Sequence, residues 1–368
     1  MSVDLQSSFL TLHEFIKAAK MQLKPDIWDY LTGGTETETT LRRNRMALDQ
    51  IALRPRILKD VANIDPDATV LGKKVRLPVV LAPIGGLVEF DGNAGVTVAQ
   101  GADEFGVAMT LSSVNQVPPL EDVRAAGKAP QIFQLYVRGD DGFVDEYASR
   151  AIESGYDAFC ITVDTAVYSR RERDIARRFQ KPWRKSATGT EYQAAFSWKN
   201  VERFKAKHKI PLMLKGIATA EDTRIAVEHG VDYVWVSNHG GRQLDHGRGS
   251  MDVLDECMEA AGGKARFIVD GGFCRGTDIV KAMAMGVEAI AMGRLYCYAM
   301  AAAGAPGIVR MLEILEDETK SAMGLTGVTS WDQLDKSYLH FGAPAVCEPH
   351  VHSAYPLLGL DDPGYGGR

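Results

Sequence analysis

Trp235-Val236-Ser237-Asn238-His239-Gly240-Gly241-Arg242-Gln243-Leu244-Asp245 decides how the rest of the 368-residue chain is read. The run 233–236 is aromatic and β-branched, as in a buried strand, and the polar residues and paired glycines after it end it in a sharp turn. His239 and Arg242 sit on that turn. The two side chains put a proton acceptor beside a cationic anchor for a carboxylate. Taken alone, a His-x-x-Arg pair reads better as a loop histidine and a surface arginine, so its meaning comes from the surrounding chain.

Outward from this strand, short apolar runs recur at residues 79–82, 107–111, 132–137, 158–163, 212–214, 233–236, 267–269 and 289–292. Helix-like stretches such as 220–229 and 277–285 lie between them. Eight strands alternating with helices predict an α/β protein, a (β/α)8 TIM barrel. An open doubly wound sheet would carry Gly-x-Gly-x-x-Gly after its first strand, and that turn is absent. A barrel gathers its chemistry at the C-terminal ends of its strands. Every run here ends in polar or glycine residues. In order these are Pro83-Ile84-Gly85-Gly86, Ser112-Ser113, Gln134 with Tyr136, Thr162-Val163-Asp164, Lys215-Gly216, His239 with Arg242, Asp270-Gly271-Gly272, and Gly293-Arg294.

The barrel is expected over residues 78–327, within one domain spanning 1–368. Residues 1–77 form an N-terminal helical cover and 328–368 a C-terminal tail. In the cover, Ser8 or Thr11 caps a first helix, Pro25 opens a second that stops at Gly33-Gly34, and a third starts over 35–41. The connection 170–197 is long, polar and helix-poor, the signature of a lid. The tail beyond Phe341 is rich in Pro, Gly and Asp and is expected to wrap the barrel or a neighbour, with poor order over 361–368. Hydrophobic residues make up 45% of the chain and the net charge is −6, which argues against nucleic acid as a partner. Five dispersed cysteines without a C-x-x-C pair suit reduced thiols, and no secretory signal or membrane-spanning segment is read, so a cytoplasmic protein is expected.

The stretch around His239, together with the strand-end series, resembles the FMN-dependent 2-hydroxy acid oxidases and dehydrogenases, the family of the glycolate and lactate oxidases and mandelate dehydrogenase. The resemblance runs from the N-terminal helices to about Gly327. It implies oxidation of an L-2-hydroxy acid to the 2-keto acid, with FMN as cofactor and a homotetramer or higher homo-oligomer as the assembly. On this resemblance His239 is the base, Asp164 stabilises the imidazolium, and Arg171 and Arg242 clamp the substrate carboxylate. Tyr30 adds a hydrogen bond to that carboxylate and Tyr136 one to the substrate hydroxyl. Pro83, Ile84, Gly85, Ser112, Gln134, Thr162 and Ser237 fall at flavin-contact positions. Lys215 would balance charge at the ring, and Asp270, Gly272, Arg275, Gly293 and Arg294 belong to the phosphate-end loops. Glycines let backbone N–H groups approach a phosphate, and an arginine fork adds charge.

Three departures bear on substrate and cofactor. Cys274 stands where the Asp-Gly-Gly motif has an arginine, which shifts phosphate binding toward Arg275 and Arg294. Val114 stands where glycolate oxidases carry a large aromatic, opening the wall that faces the substrate side chain. The 170–197 connection is shorter than theirs. Both changes favour a bulky substrate, aromatic or long aliphatic. Gly85, where several oxidases have alanine, leaves space near the reactive edge. Oxygen is the expected electron acceptor, with a quinone or carrier as the alternative. Other readings are a flavin barrel acting on a phosphorylated substrate, in the manner of isopentenyl diphosphate isomerases, and a non-catalytic flavin scaffold. Neither needs two arginines beside the histidine. His350 and His352 could share one face of an extended segment near Glu348, but tetrahedral metal sites want three or four ligands, so no metal is expected.

Overall fold

Each of the eight runs is a strand in the computed structural model, which describes residues 5–179, 190–343 and 352–355. Three short strands come first: β1 (Ile51–Leu53), β2 (Ala68–Val70) and β3 (Lys73–Val75). The barrel strands are β4 (Val79–Leu81), β5 (Ala108–Ser112), β6 (Gln131–Leu135), β7 (Ala158–Thr162), β8 (Leu212–Ile217), β9 (Tyr233–Val236), β10 (Arg266–Asp270) and β11 (Ala289–Met292). They are parallel, neighbour one another in chain order, and close where β11 pairs with β4. β5, β6, β7, β9 and β11 are buried at every position, which is why they read as continuous apolar runs and not as alternations.

Alternate side chains fill the barrel, with Val80, Ile132, Cys160, Met213, Trp235 and Ile268 in one cluster. Val70 and Val75, from the β2–β3 hairpin, join that cluster. At the hairpin turn the Leu71 N–H donates to Glu288 Oε1 at 2.8 Å, just ahead of β11. The N-terminal end of the barrel is thereby plugged, and the C-terminal mouth is left for chemistry.

The cover differs from the all-helical segment expected over 1–77. Helices Leu12–Gln22, Pro25–Thr32 and Thr39–Asp49 are present, but β1 and the β2–β3 hairpin also lie here. Strands of three residues are too short to carry a readable period. Glu14 reaches back to the Thr11 N–H at 2.8 Å, and Pro25 opens the next helix. The third helix starts at Thr39, within the expected 35–41, and no earlier because Glu36 and Glu38 take positive φ values of 44° and 59°. Asp245 holds that turn by accepting from the Thr37 N–H and hydroxyl and from the Thr40 N–H.

Two contacts fix the cover on the mouth. Gly241 has φ +75°, and a Cβ there would lie 2.5 Å from Leu41 N, so only glycine lets the helix approach the loop carrying His239. Arg45 forks onto both Asp278 oxygens at 2.8 Å and donates to the Gly272 carbonyl at 2.8 Å. At the other end of the chain, β12 (Leu339–Phe341) pairs antiparallel with β1.

The helix Arg294–Thr326 breaks at Ala303-Gly304 and packs against Leu12–Gln22 and Gly95–Phe105. It is the one described helix long and apolar enough to span a membrane by composition, and over half of that window is buried in the protein. The 170–197 connection, expected to be helix-poor, contains Glu172–Ala176 and Thr190–Ala195. Its residues 180–189, with most of the polar run 186–190, lie outside the described residues, as do 361–368 and His350. His352 meets the Tyr298 hydroxyl at 3.0 Å and stacks on Trp28.

Candidate active site

The strand ends converge on one cavity of about 150 Å³ at the C-terminal mouth. Tyr30, Pro83, Ile84, Gly85, Val114 and Tyr136 line it. So do Arg171, Lys215, His239, Arg242, Asp270, Gly272, Cys274, Gly293 and Arg294.

His239 follows β9 with φ +59°, a left-handed conformation rare outside glycine and held here by the Ser237-to-Gly241 turn. Its Nδ1 lies 3.0 Å from Asp164 Oδ1, and its Nε2 lies 3.2 Å from the Tyr136 hydroxyl. An ionised carboxylate only accepts, so Nδ1 carries the hydrogen and Nε2 presents a lone pair to the cavity. Burial lowers the His239 pKa below 6.5, aided by the Lys215 and Arg171 charges and opposed by Asp164. Burial raises the Asp164 carboxyl, but the His239 and Lys215 charges outweigh it and the group stays ionised. Burial also keeps the Tyr136 hydroxyl protonated.

Lys215 lies inside β8, one residue beyond the expected run, and donates to Ser237 Oγ at 2.9 Å and Asp270 Oδ2 at 3.1 Å. Asp270 also accepts from the Ser237 hydroxyl at 2.7 Å and the Trp235 indole at 3.0 Å. Burial pulls the Lys215 pKa down, yet Asp270 and Asp164 overcome it and the ammonium stays charged.

Three guanidinium groups face the cavity with carbonyls, a side-chain amide and the Ser169 hydroxyl, not carboxylates, as their partners. Arg242 Nη1 donates to the Tyr30 and Gly33 carbonyls, each at 2.7 Å, while its buried Nη2 has no partner among the described residues. Arg171 donates to the Arg242 carbonyl at 3.2 Å and to Gln243 Oε1 at 3.1 Å. Arg294 donates to the Leu31, Gly33 and Gly240 carbonyls. Burial lowers Arg171 and Arg294 to about 10 each, with the Arg242 charge adding to both shifts. Three buried guanidinium groups with only neutral partners suit the binding of an anion.

Ser112, Gln134 and Thr162 end three neighbouring strands. Gln134 donates to Thr162 Oγ1 at 2.8 Å, but Gln134 Oε1 and Ser112 Oγ are buried with no partner among the described residues. Orphaned polar atoms at a strand-end mouth are where the polar rim of a bound ring would be satisfied. Gly293 caps the Arg294 helix, whose N–H groups suit a phosphate, and Gly272 has φ +85°. The donor set therefore fits a flat, polar-edged, phosphate-bearing ligand. Arg275, grouped with these residues by sequence, does not line the cavity. It caps the next helix, and its guanidinium pairs with Glu318 at 2.6 Å and lies over Tyr355.

Several residues at the site escaped the sequence reading. Gln243 ties Arg171 to the Asp164 carbonyl, and it stands in the stretch first quoted. Arg138 lines the cavity two residues past Tyr136, a spacing that strand alternation could have flagged. Thr165, Ser169 and Gln193 line it from segments with no periodic pattern.

A barrel mouth that gathers glycine-rich seventh and eighth strand ends, a charged lysine and a His–Asp pair suits a flavin enzyme. Comparison with known proteins gives the same class. The FMN-dependent dehydrogenase family model matches residues 19–341. Glycolate oxidase 1 of Oryza sativa subsp. japonica is 35% identical over 358 residues, covering 91% of this chain and 97% of that protein. L-lactate oxidase of Nostoc sp. is 35% identical over 361 residues, covering 91% and 99%. The structure of mandelate oxidase with (S)-2-phenylpropionate superposes with a TM-score of 0.83 at 34% identity, covering 92% of this chain and all of that one. A mandelate oxidase variant with an FMN adduct gives 0.80 at 35% identity, covering 87% and 96%. The chain belongs to the FMN-dependent dehydrogenase family, and its cofactor is FMN.

Proposed function

We propose that this FMN enzyme oxidises L-2-hydroxy acids to 2-keto acids, with a bulky aromatic or long aliphatic side chain preferred. The observation that carries the reading is the His239–Asp164 pair set beside the uncompensated Arg171–Arg242 cluster. The relatives that act as glycolate, lactate and mandelate oxidases support the reaction class.

Arg171 and Arg242 bind the substrate carboxylate, and the pairing relieves their mutual repulsion. Tyr30, whose ring lies under Arg242 at 4.9 Å, completes that end of the site. Tyr136 donates to the substrate oxygen, which displaces its contact with His239 Nε2. His239 then takes the hydroxyl proton at Nε2, and Asp164 stabilises the resulting imidazolium through Nδ1–H. FMN, when bound, supplies the two-electron acceptor for the α-carbon. Ser112, Gln134, Thr162, Pro83, Ile84 and Gly85 would hold its ring, and Gly272, Gly293 and Arg294 its phosphate. Lys215, kept charged by Asp270 and steadied by Ser237, would balance the negative charge that reduction brings.

Val114 supports the size preference, because an isopropyl group lines the cavity where glycolate oxidases place a large aromatic. Burying an added phenyl group contributes about 2 kcal/mol, roughly thirtyfold in kcat/KM. Mandelate and 2-hydroxyoctanoate are therefore expected to outrun glycolate and lactate when the four are assayed side by side. Glycolate as the best of the four would end the size argument. Oxygen is proposed as the acceptor. Stopped-flow mixing of the reduced enzyme with air-saturated buffer should reoxidise it within seconds, and reoxidation over minutes would assign a quinone or carrier instead.

A further inference from the structure

One cation on the cavity wall has no part in this scheme. The alternation begun in β6 places Tyr136 and Arg138 on the cavity side, with Val137 only 2% exposed between them and packed outward. Arg138 Nη2 donates to the Tyr168 hydroxyl at 2.9 Å. Its buried Nε has no partner, and no carboxylate pairs with it, among the described residues. The wall also carries Thr165 Oγ1 and Gln193 Oε1, both buried and without partners there. The Gln193 amide is itself anchored on the Thr165 carbonyl. Val114 and Ile84 supply apolar lining in the same cavity. A surface arginine is ordinarily solvated or paired; this one is half-buried, steered by a tyrosine, and lines the cavity.

We propose that Arg138 and Tyr168 form a distal anion subsite, which selects 2-hydroxy acids whose side chain ends in a second carboxylate. The inference rests on reading the cavity as a 2-hydroxy acid site and narrows its substrate class. Arg171 and Arg242 take the carboxylate beside the reacting carbon, the apolar lining takes the methylenes, and Arg138 takes the far carboxylate. Thr165 can donate to the same group. An arginine fork recognises a carboxylate through paired, charge-assisted hydrogen bonds, and a site built for such a partner penalises the analogue that lacks it.

The test compares chain-matched pairs on the FMN-loaded protein: 2-hydroxyglutarate with 2-hydroxypentanoate, and 2-hydroxyadipate with 2-hydroxyhexanoate. The parent should favour at least one diacid over its monoacid by tenfold or more in kcat/KM. Arg138→Gln should bring that ratio close to one, Arg138→Lys should restore part of it, and added salt should lower it in the parent. Equal or better turnover of both monoacids by the parent, or a ratio that Arg138→Gln does not move, overturns the subsite. Good turnover of the long monoacids without a diacid advantage rejects the subsite alone. Glycolate outrunning both series rejects the large pocket and the subsite with it.

Discussion

His239→Gln is expected to retain FMN and to slow its reduction by 2-hydroxy acids by about 10²–10⁴-fold at saturating substrate, the usual worth of a positioned base. The side chain touches neither the orphaned rim at Ser112 and Gln134 nor the glycine loops, so bound flavin should keep its absorbance. Glutamine can still donate to Asp164, which preserves the turn while removing the lone pair that Nε2 presents beside Tyr136. Stopped-flow loss of flavin absorbance under anaerobic conditions measures the step directly. A variant reduced as fast as the parent would refute the base assignment. The pH dependence provides an independent check. Burial lowers the His239 pKa, so the neutral, proton-accepting form persists below the ordinary value of 6.5. The rate of reduction in the parent should therefore hold at neutral pH and fall only as the pH drops below about 6.5. In His239→Gln that acid limb should vanish. An acid limb centred well above 6.5 would mean that the Asp164 charge, not burial, dominates the imidazole.

The barrel was legible because burial on both faces writes a strand as a short unbroken apolar run. The run 233–236 matches β9 residue for residue, and 289–292 matches β11. Strand ends were legible for a related reason: a mouth that binds charged ligands must replace apolar residues with glycine, lysine, aspartate and arginine at one register position. The cover was less legible. β1, β2 and β3 are too short for a period to accumulate, and the turn that sets the third helix's start at Thr39 takes its hydrogen bonds from Asp245, 208 residues from Thr37 along the chain. Long-range partners also decide the arginines. Arg171, Arg242 and Arg294 look like Arg275 in sequence, yet Arg275 has Glu318 to pair with and the other three have only neutral oxygens. Arg138 is hidden in sequence because it lies just past the apolar run 132–137, and only the fold brings the Tyr168 hydroxyl to its guanidinium.

Arg242→Met should lower kcat/KM for 2-hydroxy acids by roughly 30- to 1000-fold, since removing one partner of a buried charged hydrogen bond costs about 2–4 kcal/mol. The effect has two sources that need separating. Arg242 holds the Tyr30 and Gly33 carbonyls through Nη1 and lies over the Tyr30 ring, so its loss also loosens the cover. Its Nη2, buried and without a partner among the described residues, is the donor left for a ligand. A purely structural loss would slow every substrate alike. A lost carboxylate contact would instead erase the distinction between an acid and its amide. The parent should therefore prefer mandelate over 2-hydroxy-phenylacetamide strongly, and Arg242→Met should weaken that preference by tenfold or more, with Arg171→Met acting in the same direction. Arg242→Lys, which keeps the charge but not the fork, should fall between the two. The flavin spectrum and thermal melting of each variant show whether the cover is still seated. An amide turned over as well as the acid by the parent, or an acid-to-amide ratio that survives both arginine substitutions, would leave the clamp without support. The arginine cluster would then have to serve some anion other than the substrate carboxylate.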